Sequence, residues 1–402
     1  MIESIRHPYN AHFSADRYEA FLAQINDEFP GQLDFRVAET PVFVPKLLTD
    51  KMLTACDDIV QTITQPDFRA KTEAAIPAGQ YVPGEGEASH TTFMAVDFAV
   101  CRNESTGELE PQLIELQGFP SLYGFQPYLS QTFRAHFPIP DSVNHLFGVS
   151  TNADYVAALR DLIVADCDPE EVILLEIYPE KQKTRIDFAL TKHYIGIDAV
   201  CLTKIKKRGR ELYYEKEGRD VRIRRIYNRL IFDELEAMPD LVTEFKLTDD
   251  VDVHWVGHPN WFFRISKYTL PLINSAYVPK SHYLSELTGN VPDDLENYVL
   301  KPLFSFAGSG VKINVTPADI EGIAEAERGN YLLQRKVRYE PVIAAPDGSV
   351  KCEIRLLFIW PDGADKPQLI TNLARLSRGE MIGVRFNKDF DWVGGTIAYF
   401  EQ

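Results

Sequence analysis

The run Phe93-Met94-Ala95-Val96-Asp97-Phe98-Ala99-Val100 is apolar at every position but one. It predicts a buried strand carrying a single carboxylate. After a turn over 102–108, Gln112-Leu113-Ile114-Glu115-Leu116-Gln117 alternates and ends at Gly118, which predicts a second strand paired with the first. Strand periodicity places Glu115 and Gln117 on one face. Helical patterning is read over 18–26 and 46–63, and a loop over 79–87.

Residues 145–250 alternate in type. A buried strand at 171–177, a helix at 180–193 and a strand at 199–203 predict an α/β unit with a largely parallel sheet. The basic run 204–210 leads into a polar hairpin arm at 211–215. The segment 221–230, VRIRRIYNRL, reads as one solvated edge strand whose arginines are balanced by nearby acids such as Asp233 and Glu234.

From 260 onward the pattern predicts a helix over 263–274 containing Lys267 and a short strand at 276–278. The stretch 297–314, NYVLKPLFSFAGSGVKIN, follows. There an apolar run delivers Lys301 and Pro302, Gly308-Ser309-Gly310 turns the chain, and a second alternating run begins at Val311. A glycine turn that opens a strand, unlike one that opens a helix, predicts a hairpin tip able to lie over phosphates as a lid. A helix over 317–328 capped by Thr316 comes next, then the apolar run 331–333 feeding Gln334-Arg335-Lys336-Val337. Long strands at 351–360 and 368–376, Asn387 and Gly394-Gly395 complete the chain.

Composition narrows the function classes. A chain of 402 residues has room for two or three domains, and 45% hydrophobic with 25% charged residues excludes wholesale disorder. The net charge of −17 argues against a nucleic-acid partner, whose phosphates demand cationic contacts. It leaves open a nucleotide bound in a local cationic pocket. Five dispersed cysteines suggest a reduced compartment and no zinc site. The N-terminus lacks the apolar core of a signal peptide, and no apolar run approaches the ~20 residues that span a bilayer. A soluble cytoplasmic protein without a membrane partner is the expectation, and a homodimer is left open.

Three groups carry candidate chemistry. Lys267, Lys301 and the Gly308–Gly310 turn suit phosphates. Asp97, Glu115 and Gln117 offer hard oxygen donors suited to magnesium. Glu353 and Arg355 share one strand face, with Arg375 on the next strand and Asn387 beyond, and such arginines stabilise a transferring phosphoryl group.

The order of these motifs resembles the ATP-grasp fold, in particular the glutathione synthetase group. Ser266-Lys267, YVLKP, the glycine turn, LAR at 373–375 and Asn387 look like its nucleotide-binding part, and YLLQRKV stands where its adenine hinge lies. The metal-binding strands, AVDFAV and LIELQG, precede these elements. That is the circularly permuted order of eukaryotic glutathione synthetases and glutathionylspermidine synthase-like proteins, with IELQ where they have an IEIN-type motif. The resemblance covers residues 90–402. It implies an α/β (α+β) architecture in three parts: 1–144, which lends the hairpin 90–118 to the core; 145–259, a Rossmann-like substrate domain; and 260–402, the nucleotide-binding domain.

The resemblance further implies ATP and Mg2+ as cofactors. Lys267 and Lys301 would contact phosphates under a lid of Gly308, Ser309 and Gly310. Gln334, Lys336 and Val337 would meet adenine, and Glu353 and Asn387 would lie close to the nucleotide. Glu115 and Gln117 would hold magnesium, with Asp97 a third ligand or a supporting group. Arg375, Arg355 and Lys301 would serve catalysis, and Arg229 and Ser121 would contact substrate. Three departures stand out: Gln117 replaces an asparagine, Ala95 replaces a substrate arginine, and the lid lacks the family's acidic residue. Glutathione is therefore not implied as the product. The expected activity is an ATP-dependent carboxylate–amine ligase working through an acyl phosphate on a small amino-acid or peptide-like substrate. The alternative is a nucleotide-binding regulatory or scaffold protein without ligase chemistry.

Overall fold

The computed structural model describes residues 1–402 except 85, 86, 88, 288, 305–309, 380–386, 388 and 389. The lid residues Gly308 and Ser309 lie outside the described residues. The architecture is mixed α/β, built around a six-stranded antiparallel sheet. Across it run Gly394–Thr396, Gln368–Ser377, Gly348–Ile359, Phe93–Arg102 and Leu109–Gln117, with Ile343–Ala345 paired to Gly348–Ile359. Strands from near the start and the end of the chain thus pair directly, Asp97 opposite Arg355 and Ala99 opposite Glu353.

Period-2 patterning gives this sheet two different faces. Val96, Phe98, Val100, Ile354, Leu356, Ala374 and Leu376 pack against the Lys46–Ile63 helix through Leu48, Met52, Ala55, Ile59 and Ile63. The opposite face carries Asp97, Glu353, Arg355 and Arg375. It turns apolar at Phe93, Ala95, Leu357 and Ile359, where it meets Tyr123, Val172 and Tyr227.

The second sheet is parallel throughout, in the order His254–Val256, Arg225–Asn228, Val172–Glu176, Asp198–Cys201. This bears out the α/β reading of the middle of the chain. The expected 221–230 strand is instead two: Arg219–Ile223 joins an antiparallel hairpin sheet, and Arg225–Asn228 enters the parallel one. Its arginines divide accordingly. Arg222 pairs at the surface with Asp252 and Glu211. Arg225 donates to the Leu162 and Ile163 carbonyls, satisfying the end of the Asn152–Ile163 helix. Arg229 is buried.

Two further expectations change in the C-terminal part. The helix over 263–274 is replaced by Pro259–Arg264 and a 3-10 turn, Lys267–Leu272, because Pro271 interrupts a continuous helix and Ser266 caps a fresh start. The second arm after the glycine turn is reduced to one bridge, Leu300 with Lys312. Tyr298–Pro302 pairs instead with Tyr331–Arg335, which also pairs with Ser281–Tyr283. The helix over 317–328 stops at Glu321, followed by a 3-10 turn, and Thr316 does cap it.

Gly394-Gly395 has a physical role. Gly394 has φ +131°, and a Cβ there would sit 2.5 Å from the Arg36 carbonyl oxygen. The segment 36–38 lies on the edge strand, with Ala38 N donating to Gly395 O and Gly395 N to Arg36 O, both at 2.9 Å. Gly394→Ala is expected to cost roughly 3 kcal/mol or more, from strain plus displaced backbone, whereas Gly363→Ala, left-handed but in open space, costs about 1 kcal/mol. Urea unfolding of the two variants checks the difference.

Candidate active site

Charged residues sit on the polar face of the main sheet because register aligns them. Glu353 lies opposite Arg375, Arg355 opposite Asp97, and Asp97 opposite Glu115. Arg355 binds Asp97 through two contacts, Nε to Oδ1 and Nη2 to Oδ2, each 2.5 Å. Arg375 Nη2 donates to Asp97 Oδ2 at 2.9 Å and also pairs with Glu353. Tyr339 Oη donates to the other Glu353 oxygen at 3.0 Å. Burial pushes the Glu353 carboxyl above the usual range, against the pull of Arg375. Both oxygens of Asp97, expected as a metal ligand or its support, here accept from guanidinium groups.

A bulge shapes the neighbouring strand. Asp97 faces Glu115 but Phe98 faces Leu113, so Ile114 is the extra residue. Its carbonyl accepts from Lys301 Nζ at 3.1 Å. Lys301 belongs to Tyr298–Pro302, and Lys267 Nζ donates to Pro302 O at 3.3 Å. Both lysines are buried. Burial lowers Lys301 to about 8, with Glu115 opposing and Lys267 reinforcing the shift. Burial likewise lowers Lys267, opposed by Glu115 and Asp233. The sequence-predicted phosphate lysines and Glu115 therefore come together.

A narrow cleft of about 30 Å3, space on the order of a water or two, lies between Glu115, Gln117, Asp233, Lys267 and Phe304. At Gly118, next after Gln117, a Cβ would meet Trp261 O at 2.4 Å, so only glycine lets the Pro259–Arg264 helix approach. Among the described residues no group of three or more His, Cys, Asp or Glu side chains gathers to hold a metal ion. Glu115 and Gln117, a carboxylate and an amide oxygen on one strand face, suit magnesium, which takes few protein ligands. At the expected adenine hinge, Gln334 is buried and its Nε2 has no hydrogen-bond partner among the described residues, while Lys336 N donates to Asn297 O at 2.7 Å. Val337 follows, half-buried, just past the strand end. Gly310 has φ +70°, and a Cβ there would press on Pro302.

A second cavity, about 480 Å3, opens on the other side of the arginines. Ser121, Arg355, Arg375 and Asn387 line it, joined by Phe35 and Arg36. Ser121 Oγ accepts from Arg355 Nη1 at 3.1 Å. Asn387 Oδ1 accepts from Ser377 Oγ and from the backbone N–H groups of Arg378 and Gly379, at the end of the Gln368–Ser377 strand. Arg229 takes a different place from Ser121. It lies beneath the loop, donating to Pro120 O at 2.8 Å and facing Asp187 at 3.5 Å, between Phe119 and Phe188.

Sequence reasoning missed Phe35, Arg36, Tyr339 and Asp187, and read Asp233, which borders the cleft, only as an acid balancing the nearby arginines. Asp187 had a signal, a carboxylate on the apolar side of a helix. Phe35 and Arg36 had none, since a contact some 360 positions away in the chain leaves no local pattern.

No protein-family model matches the chain, and no curated protein matches it. Among solved structures, its fold is similar to that of a glutathione synthetase-like effector from Globodera pallida in an apo form. The TM-score is 0.59 over 96% of this chain and 95% of that one, at 10% identity. What the two share is a fold. No helix among the described residues is long and apolar enough to cross a membrane.

Two predictions follow from the charged row. Asp97→Ala leaves the Arg355 guanidinium without its acid and Arg375 with Glu353 alone, and is expected to cost ~3–5 kcal/mol by urea unfolding. Lys301 has a lower proton affinity folded than unfolded, so the unfolded chain binds the extra proton between pH about 8 and about 10.4. Stability from this group is therefore gained as pH rises through that window. Measured at pH 7.5 and 10, roughly the two sides of it, the stability of Lys301→Met relative to wild type should fall as pH rises.

Proposed function

We propose that the chain is an ATP-dependent carboxylate–amine ligase on a circularly permuted ATP-grasp fold. The observation that carries the reading is the convergence of Lys267 and Lys301 on Glu115, one strand away from the Asp97–Arg355–Arg375 cluster. The fold shared with a glutathione synthetase-like protein supports it. On this reading 1–144 lends its hairpin to the core, 145–259 is the substrate domain and 260–402 the nucleotide-binding domain.

Glu115 and Gln117 would hold Mg2+, which when bound neutralises phosphate charge. Lys267 and Lys301 would take the phosphates. Gln334 would give its unpartnered amide to adenine, with Lys336 and Val337 beside it. The cleft is narrow, so nucleotide entry entails displacement of the aromatic side chains Phe262, Phe263 and Phe304 that crowd it. The substrate carboxylate oxygen attacks the γ-phosphorus and ADP leaves. The amine nitrogen then attacks the acyl carbon, loses a proton and expels phosphate. Arg355, held by Asp97 and Ser121, is a fixed positive charge for these steps, and preorganisation is what makes such a charge effective. Arg375, about a third exposed, faces the cavity where the acid would lie.

A second reading, a nucleotide-binding protein without ligase chemistry, is favoured by one observation: Asp97 is fully engaged by arginines, leaving Glu115 and Gln117 as the cation donors. Magnesium-dependent ADP release over a panel of acids and amines separates the two. Wild type is expected to turn over and Lys301→Met to lose at least about 100-fold while keeping its far-ultraviolet spectrum. Nucleotide binding without turnover across the panel selects the second reading.

A further inference from the structure

The 480 Å3 cavity is within the ~300–1,000 Å3 typical of small-molecule sites, and its lining says what fits. Four cationic residues border it, Arg36, Lys183, Arg355 and Arg375, and no Asp or Glu does among the described residues. Arg36, Arg355 and Arg375 are already ion-paired; Lys183 is exposed and makes no ion pair among the described residues. The rest of the wall is largely apolar: Phe35, Leu122, Phe125, Leu129, Leu373 and Val393.

Two buried polar atoms in this lining have no partner among the described residues. Arg375 Nε is a donor and Gln126 Oε1 an acceptor, and Gln126 is 1% exposed. Each unmet group costs free energy unless something fills the cavity and pairs with it. Gln126 stands in the first turn of the 12-residue helix Phe125–His136. The Phe125 N–H at that end is already taken by Asp187 Oδ1 at 3.0 Å. The site thus offers a donor and positive potential for a carboxylate, a buried acceptor for an N–H or O–H, and a greasy wall for a side chain.

We infer that the cavity takes an α-amino acid with an aromatic or branched aliphatic side chain, its carboxylate toward Arg375 and its amine toward Gln126. The ligase reading supplies only which group reacts; the binding itself does not depend on it. Phe35 and Arg36 make the N-terminal region part of the selecting wall, and that region docks there through Gly394-Gly395.

The test is calorimetric binding of L-phenylalanine, L-leucine, L-glutamate and 3-phenylpropanoate to the full chain without nucleotide. Phenylalanine and leucine are expected to bind at least about tenfold more tightly than glutamate. Gln126→Leu should weaken phenylalanine about tenfold and leave 3-phenylpropanoate, which has no amine, unchanged. Retained 3-phenylpropanoate binding reports that the variant is folded. Glutamate binding as tightly as phenylalanine, equal losses for both aromatic acids in Gln126→Leu, or no saturable binding of any acid overturns the inference. Phenylalanine binding without ATP turnover keeps the inference and removes the ligase; ATP turnover with polar acids alone does the reverse.

Discussion

A single buried carboxylate, Asp97, holds the polar face of the main sheet together. It is fully buried in the middle of a strand and accepts hydrogen bonds from two arginines on two different strands. A charge so placed is tolerable only when paired, and the pairs then fix where the arginines point. Arg355 is locked between Asp97 and Ser121, Arg375 between Asp97 and Glu353. Because Asp97 comes from residues 93–102 and the arginines from 348–377, the same contacts join distant parts of the chain.

The row divides two spaces of different chemistry. On one side Lys267 and Glu115 border a narrow cleft, with Lys301 close to both; on the other, Arg375 and Ser121 open on a large, mostly apolar cavity. Two neighbouring ammonium groups are costly to bury, and Lys301 shows the cost in its lowered proton affinity. A polyanion would repay both lysines. An acid in the second space would meet Arg375 from the far side, which brings the two reactants of the proposed ligation to one cluster of charge.

Much of this was legible in the sequence wherever one physical rule governed. The strands around Asp97 and Glu115, the long strands near the C-terminus and the 46–63 helix followed from periodicity, because each packs one face against a core. Failures came where local punctuation overrode pattern. Pro271 and the Ser266 cap broke the expected helix around Lys267, and the chain between Ile223 and Arg225 leaves one sheet for another although its alternation continues. Arg229, expected at the substrate, is buried with its guanidinium on the Pro120 carbonyl and facing Asp187, a placement set by long-range packing. Phe35 and Arg36 were invisible for the same reason.

The central claim is that the two lysines and Glu115 form a magnesium-dependent nucleotide site. Its most direct test is calorimetric titration of the wild-type chain with ATP, with and without Mg2+, beside Lys267→Met. The account predicts saturable binding near micromolar affinity, on the order of 8 kcal/mol, that weakens sharply when magnesium is chelated or Lys267 loses its charge. Binding unaffected by both changes, or no binding of ATP by the wild-type chain, would contradict it.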